Sequence, residues 1–387
     1  MNALLTAMQI TPDLALVMAI EGHRHTVLWQ GQTLVCSIKG VLKKTGIFIR
    51  VGDAVTLDEI SPPQATARIV AVAPRQTSLE RPRIANVTQV LVTVACEQPL
   101  FSFETVDRLL AHAKLSGLQA VILLTKTDLL SAKALETLLQ EMLSVYQSTL
   151  GIQVLPLSVF SKGVSTAEDK LALSSLLSGH VSVLAGPSGV GKSSLLNALL
   201  PHASLKTGEI SQKLQRGTHT TRHVALLPLD DALDNVLQGG LIADTPGFSQ
   251  LTFQDYSPIA VRNAFLELSP SESGGGLSCP FDDCLHEPHD TTCTLKPGIH
   301  IKPSRYASYL GMLLEAKAGQ VQREARSQKS SFGLRVRDGK HGQTGLSLRL
   351  EGEHRQAGRN TERQKASRDM ACEQLQVMAD DALFEED

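Results

Sequence analysis

Over residues 14–80 the apolar positions come in short blocks. LALVMAI, HTVLWQ, TLVCSIKG, GIFIRVG, AVTLDEI and ARIVAVA follow one another with turn-forming residues between most of them. Five or six short strands in so little chain predict a small closed barrel. The step Val51-Gly52-Asp53 predicts a turn between two strands. From about residue 86 the rhythm changes. TQVLVTVA, QAVILLTKTD and IQVLPLSV are continuous apolar runs, as expected of strands buried on both faces of a parallel sheet. Between them, FETVDRLLAHAKLSG has helical spacing and ends at Gly117, and SAKALETLLQEMLSVYQSTLG is a helix with Ser131 as its N-cap. AEDKLALSSLLSG predicts a third helix. HVSVLAGPSGVGKSSLLNALL reads as strand, loop and helix, and HVALLPL and VLQGGLIADTPG add two more strands. This alternation predicts a doubly wound parallel sheet. Residues 271–278 are rich in Ser and Gly and mark a boundary. A Cys/His segment follows, then a helix around RYASYLGMLLEAKA. Beyond about residue 320 the periodicity fails, and the composition turns basic and polar, then acidic. The expected organisation is a barrel at 1–80, an α/β domain at 81–268, a Cys/His and helical module at 269–320, and a disordered tail at 321–387.

Composition narrows the classes. Apolar residues make up 42% of 387, which excludes global disorder. Lys and Arg number 37 against 39 acids, a net charge of −2, so contact with nucleic acid must be a local patch rather than a basic coat. No apolar run reaches the ~18 residues of a membrane span. The N-terminal stretch has acidic character and a Pro-Asp pair, unlike a secretion signal. Three of the six cysteines fall close together at Cys279, Cys284 and Cys293, which predicts a metal site in a reducing, cytoplasmic setting rather than a disulfide scaffold.

Four segments carry chemistry. Gly186-Pro187-Ser188-Gly189-Val190-Gly191-Lys192-Ser193 fits G-x-x-x-x-G-K-[ST] between a strand and a helix. Its backbone N–H groups, continued by Ser194, would wrap phosphates at the positive end of the helix. Lys192 would reach the terminal phosphates, and Ser193 would offer its hydroxyl to Mg²⁺. Asp244-Thr245-Pro246-Gly247 follows an apolar strand. Asp244 is suited to hold Mg²⁺ through water, and Gly247 to offer its N–H to a γ-phosphate. Thr125-Lys126-Thr127-Asp128 fits [NT]KxD, the element with which GTPases read guanine. The carboxylate of Asp128 can accept from N1 and N2 of guanine, a donor pair adenine lacks. Lys126 packs over the ring, and Thr125 could tie this loop to the phosphate loop through its hydroxyl. Ser158 fits the weaker loop that contacts guanine O6. Residues 215–222, Gln-Arg-Gly-Thr-His-Thr-Thr-Arg, suit a switch loop. Thr221 is the first choice for the Mg²⁺ contact and Thr220 the second. Phe248 stands where many GTPases carry a water-orienting Gln, so His219 is the candidate substitute. The base-reading elements precede the phosphate loop, the reverse of the usual GTPase order, which predicts a circularly permuted GTPase. Cys279, Cys284, His286 and Cys293 form a sufficient set for one closed, structural zinc, with His289 an alternative fourth ligand and free thiols or a disulfide the other readings. A nucleotide site without Asp128 reading guanine would leave an ATP-using kinase or transporter subunit.

A barrel, a permuted GTPase and a Cys3His knuckle in this order resemble the ribosome small subunit-dependent GTPase A (RsgA, or YjeQ) family over roughly residues 14–315. Arg81-Pro82, Ala85-Asn86-Val87, the Arg-Gly-x-His-Thr-Thr switch, Arg305-Tyr306 and Ser308-Tyr309-Leu310 add to the likeness. Thr88 stands where the family usually has Asp. The resemblance implies an OB-fold barrel, a fold that often binds single strands or rRNA; this one carries Lys39, Lys43, Lys44 and Arg50 within a dozen residues, as an RNA-binding patch or a solvated loop. It also implies GTP hydrolysis stimulated by the small ribosomal subunit, late maturation of that subunit and its rRNA, and a catalytic role for His219 beside Lys192 and Thr221. The expected protein is a cytoplasmic monomer that cycles between GTP and GDP without membrane contact. The alternative is a GTP-regulated RNA- or protein-binding module with negligible turnover.

Overall fold

The computed structural model describes residues 11, 13–40, 42, 47–80, 82–160, 163–164, 166–200, 224–229, 239–244, 252–268, 279, 281, 283–288, 293–331, 334–338 and 344–348. The chain forms two units, Met1–Lys317 and Ala318–Asp387.

Five strands make the barrel: β1 Leu14–Glu21, β2 Arg24–Trp29, β3 Gln32–Ile38, β4 Ala54–Ser61 and β5 Thr66–Val72. They pair in the order β1-β2-β3-β5-β4, and β4 returns to β1 to close the ring. The apolar run of β1 has two customers. Ala15 and Val17 fill the barrel with Val27, Leu34, Val55 and Ile69, while Leu16 and Met18 pack into the core shared with the α/β domain. Burial on both faces is why this strand does not alternate apolar with polar.

GIFIRVG does not form the sixth strand. Only Val51 bridges to Ile84, while Ile47 and Phe48 are exposed. The Arg50 N–H bonds Asp53 Oδ2 at 2.7 Å and turns the chain. Gly52 has φ +88°, and a Cβ there would lie 2.0 Å from Ala85 O, so glycine alone fits the turn. A hairpin of β6 Ser78–Glu80 and β7 Arg83–Ala85 leads out of the barrel. Arg50 is committed to it, donating to Ser78 Oγ (2.7 Å), Leu79 O (3.0 Å) and Glu80 Oε1 (2.7 Å). It is therefore not the free RNA-facing cation expected from sequence; Lys43 and Lys44 lie outside the described residues. Asn86, at φ +56°, donates to Gly52 O and accepts from the Gln76 N–H, clamping the hairpin's exit to the barrel.

The α/β domain contains β8 Gln89–Ala95, α1 Phe103–Leu115, β9 Gln119–Thr125, α2 Ala132–Met142, β10 Val154–Pro156, β11 Val159–Phe160, β12 Gly163–Val164, α3 Ala167–Leu177, β13 Val181–Ala185, α4 Lys192–Leu199, β14 Ala225–Pro228 and β15 Leu241–Asp244. Ser131 caps α2 as expected, accepting from the Ala134 N–H at 3.3 Å. After α2 the helix widens to π geometry over Leu143–Ser148, burying Val145 and Tyr146. The strand order is β10-β9-β8-β13-β15-β14. All pairs are parallel except β14–β15, which correct the expected all-parallel sheet. β14 pairs its other edge with β1 at Ala19↔Ala225, so one sheet of eleven strands runs from β10 into the barrel. Every residue of β8 is buried, with Val90, Val92 and Val94 in one core and Leu91 in the core on the opposite face. Burying each such side chain is worth about 1.5–3 kcal/mol.

Beyond the sheet, α5 Pro258–Ala264 and the first part of α6 Pro303–Ser331 enclose a third core of Phe253, Phe265, Tyr309 and Met312. In the second unit α6 runs on to Ser331, and β16 Leu334–Asp338 pairs antiparallel with β17 Thr344–Leu348. Of the tail beyond residue 320, the described residues are this helix end and the hairpin; residues 349–387 lie outside them.

Candidate nucleotide and metal sites

The sequence-predicted nucleotide residues converge at the carboxyl ends of the parallel strands, the edge at which open α/β sheets take ligands. β13 ends at Ala185, and the chain turns through residues 186–191 into α4. Gly186 has φ +151°, and a Cβ on it would sit 2.1 Å from Thr93 O of the neighbouring strand. The loop can pass that close only as glycine. Val190 is buried and anchors the loop; Ser188, Ser193 and Ser194 are exposed. Lys192 folds back over its own loop, donating to Gly186 O (2.8 Å) and Pro187 O (2.5 Å). Burial lowers the pKa of its ammonium group.

Thr125 closes β9. Its buried hydroxyl lies 2.5 Å from Val190 O and 3.1 Å from Val94 O, and donation to the shorter partner joins the loop after β9 to the loop between β13 and α4. Lys126 follows with φ +57° and hydrogen-bonds Gln98 O. Ser158 Oγ donates to Asp128 Oδ1 at 3.2 Å, so the Thr127 hydroxyl, 2.6 Å away, is left to donate to Ser158. This two-hydroxyl relay orients an exposed carboxylate. Thr125, Lys126, Asp128 and Ser158 are thus brought together with the phosphate loop. Sequence reading missed the contribution of Gln98 and Pro99, whose ring carbon lies 3.8 Å from the Cβ position of Gly189. Their only signal was location just past the end of a central strand. Asp244 is the last residue of β15, beside β13. Gly247, Phe248, His219, Thr220 and Thr221 lie outside the described residues.

The four ligand atoms of Cys279, Cys284, His286 and Cys293 lie within 4.8 Å of one another. His286 Nδ1 is 3.5 Å from Cys284 Sγ and 3.3 Å from Cys293 Sγ, while its Nε2 is 3.2 Å from Leu268 O. A proton on Nε2 bonds that carbonyl and leaves Nδ1 as a lone-pair donor toward the sulfurs. This is how a second partner fixes a metal-binding tautomer. Burial pushes the Cys284 thiol up to about 12, with the neighbouring thiols adding to the rise. At Cys279 burial also raises the pKa, but the backbone hydrogen bond at Phe281 and the other hydrogen bonds outweigh it and leave the thiol below its ordinary value. A divalent cation would supply beside these sulfurs the positive charge that a buried thiolate needs, so the donor set fits a metal. His289 lies outside the described residues.

Two tyrosines of α6 hold this loop. Tyr306 Oη donates to His286 O at 2.7 Å, and Tyr309 Oη to Leu285 O at 2.5 Å. Arg305 is buried, pairing with Asp107 of α1 (2.5 Å) and Glu267 (2.5 Å) between the rings of Tyr146 and Phe265. Burial opposes its charge, but Glu267 and Asp107 outweigh this and raise its pKa above the ordinary value. Removing one partner of such a buried pair costs about 3–5 kcal/mol. The knuckle is thereby riveted to the α/β domain. Among the described residues no helix is long and apolar enough to cross a membrane.

The RsgA GTPase family model matches residues 72–254. A protein of Carboxydothermus hydrogenoformans named small ribosomal subunit biogenesis GTPase RsgA is 38% identical over 283 residues, 73% of this chain and 90% of that one. The crystal structure of YjeQ from Thermotoga maritima aligns with TM-score 0.62 at 28% identity, covering 79% of this chain and 98% of that one. YloQ, described as a circularly permuted GTPase, aligns with TM-score 0.60 at 28% identity over 79% and 95% of the two chains. With its closed barrel, permuted strand order and Cys3His cluster, the chain belongs to the RsgA family of GTPases.

Proposed function

We propose that this chain hydrolyses GTP as an assembly factor in late maturation of the small ribosomal subunit. The observation that carries the reading is the Thr125–Val190 bond, which sets the guanine-reading carboxylate and the phosphate loop as two ends of one rigid cradle. Asp128 selects guanine, and residues 186–194 bind the phosphates. Lys192 must give up Gly186 O and Pro187 O to reach them, exchanging two carbonyl contacts for full negative charge. Mg²⁺ bound with GTP, held by Ser193 and Thr221 and through water by Asp244, would neutralise charge between the β- and γ-phosphates. Gly247 offers its N–H to the γ-phosphate. His219 orients the attacking water, because Phe248 has no group to do so. The Cys3His cluster holds one structural zinc. The barrel, whose strand order and single parallel β3–β5 pair suit an OB-fold, serves rRNA, and the protein works as a cytoplasmic monomer.

The test is GTP turnover with and without purified small subunits, beside co-sedimentation in two nucleotide states. Turnover should rise with subunits. Binding should be tighter with a non-hydrolysable GTP analogue than with GDP, and should weaken with salt. A rate that stays negligible with subunits present would instead favour a GTP-regulated binding module.

A further inference from the structure

The amino ends of the parallel strands, opposite the nucleotide loops, hold a cleft of about 310 Å³. Gln89 opens β8 and pairs in register with Gln119, which opens β9. Gln153 immediately precedes β10, and its carbonyl accepts the Ile122 N–H at 2.9 Å. The three carboxamides come from adjacent strands, whose backbones run about 4.8 Å apart. All three line the cleft, together with Ser175 of α3 and His180.

Two of these groups are preset. Gln89 Nε2 donates to Leu176 O and to Ser182 Oγ, each at 2.9 Å. A carbonyl can only accept, so the amide orientation is settled and Oε1 remains as a fixed acceptor. The Thr88 hydroxyl accepts the Val181 N–H at 3.0 Å, and the nearest acceptor for its own proton is His180 Nδ1 at 3.1 Å. Burial lowers the pKa of His180, so the ring is neutral and carries its proton on Nε2 as a donor. Gln119, Gln153 and Ser175 are exposed and can turn their polar groups to suit a ligand. Val121 and Leu176 supply apolar surface, and among the described residues no charged side chain lines the cleft.

We propose that this cleft takes an unpaired nucleobase of RNA. A phosphate, a carboxylate or a metal ion would find no opposite charge there. A base is neutral, has apolar faces and carries donors and acceptors along one edge. A carboxamide can pair with such an edge through two hydrogen bonds at once, as glutamine does with adenine. The space exceeds the ~150 Å³ that admits a benzene ring. The choice of RNA as the source of the base rests on the rRNA-partner reading above. It gives the α/β domain an RNA contact of its own, at the end of the sheet away from GTP.

The test uses the full chain saturated with Mg²⁺ and GDP, so that the guanine site is filled. Adenosine, cytidine, uridine and ribose are titrated and followed by NMR. At least one nucleoside should bind with a millimolar Kd, while ribose does not. Two variants alter the cleft from opposite sides, a Q119A/Q153A pair on the sheet and S175W on α3. Each should raise the nucleoside Kd by about 10-fold or more, while GDP affinity stays within about 2-fold. If one variant fails to fold, the other decides. Binding of no nucleoside, equal binding of ribose, or unchanged affinity in the variants overturns the base site. Co-sedimentation with purified small subunits then identifies the source. Subunit binding weakened by about 3-fold or more in the variants supports RNA, and normal binding overturns it in favour of a free nucleoside. Should subunits fail to bind the parent, the assembly reading falls. A single-stranded RNA of the preferred base then takes their place under the same criterion.

Discussion

The phosphate loop and the Cys/His knuckle are the two sites proposed for a charged ligand, and they are built in opposite ways. The knuckle has its four donor atoms already gathered and largely buried, and its backbone is pinned by two tyrosine hydroxyls. The phosphate loop keeps Ser193 and Ser194 exposed and satisfies Lys192 with its own carbonyls. A resident ion stays through every cycle, so its site can be part of the core. A nucleotide that must leave needs a site whose polar groups are satisfied without it. The comparison teaches that readiness for exchange shows as self-pairing and exposure, whereas permanence shows as burial and outside support.

The sharpest way to break this contrast is at the knuckle. Replacing Cys284 with Ser should bring metal content from about one equivalent per chain to nearly none and melt the C-terminal module, since structural zinc contributes on the order of 10 kcal/mol. GTP binding should persist. Full metal content in a Cys279→Ser, Cys284→Ser double variant would remove the site. Lys192→Ala should give the mirror image, with turnover lowered by about 10²–10³-fold or more and melting nearly unchanged. A large loss of stability would mean that Lys192 is structural, as the cysteines are. Asp128→Asn comes third. It should cost about 10²-fold in GTP affinity and shift preference toward xanthine nucleotides, because the amide presents a donor where guanine also presents one. Competition by nucleotides checks it, and equal binding of ATP and GTP by the parent would show that guanine is not read. Thr125→Val is the mildest. Losing the bond to Val190 O should cost about 1–3 kcal/mol by chemical melting and weaken GTP binding only a few-fold. Unchanged melting would show that the two loops are held together by other means.

Legibility in the sequence followed the range of the interaction. The phosphate loop, the TKTD element and the knuckle could be read because spacing along a few residues places their donors. Even the tie from Thr125 could be anticipated, since the [NT]KxD pattern puts a hydrogen-bonding side chain at that strand end. GIFIRVG misled because its apolar count resembles a strand while the Asp53 side chain and the positive φ at Gly52 bend the backbone. The direction of β14 was hidden because a short apolar run looks the same in either sense. Arg50 read as a surface cation because its partners are about thirty positions away. Arg305 and Glu315 were still harder: their partners on α1 lie about two hundred positions upstream, and no local pattern records such pairs.

The seam between barrel and sheet has a consequence for the order of assembly during synthesis. β1 meets β14 through Ala19 and Ala225, so one rim of the barrel is completed by chain made about two hundred residues later. At ~5–20 residues per second, that interval is about 10–40 s. The barrel's own pairings need only residues up to Val72. The barrel can therefore close as a self-sufficient unit at the exit of the translating machinery. Ala19 then waits as a one-residue docking point, and the last strand to arrive decides when the two domains become one sheet.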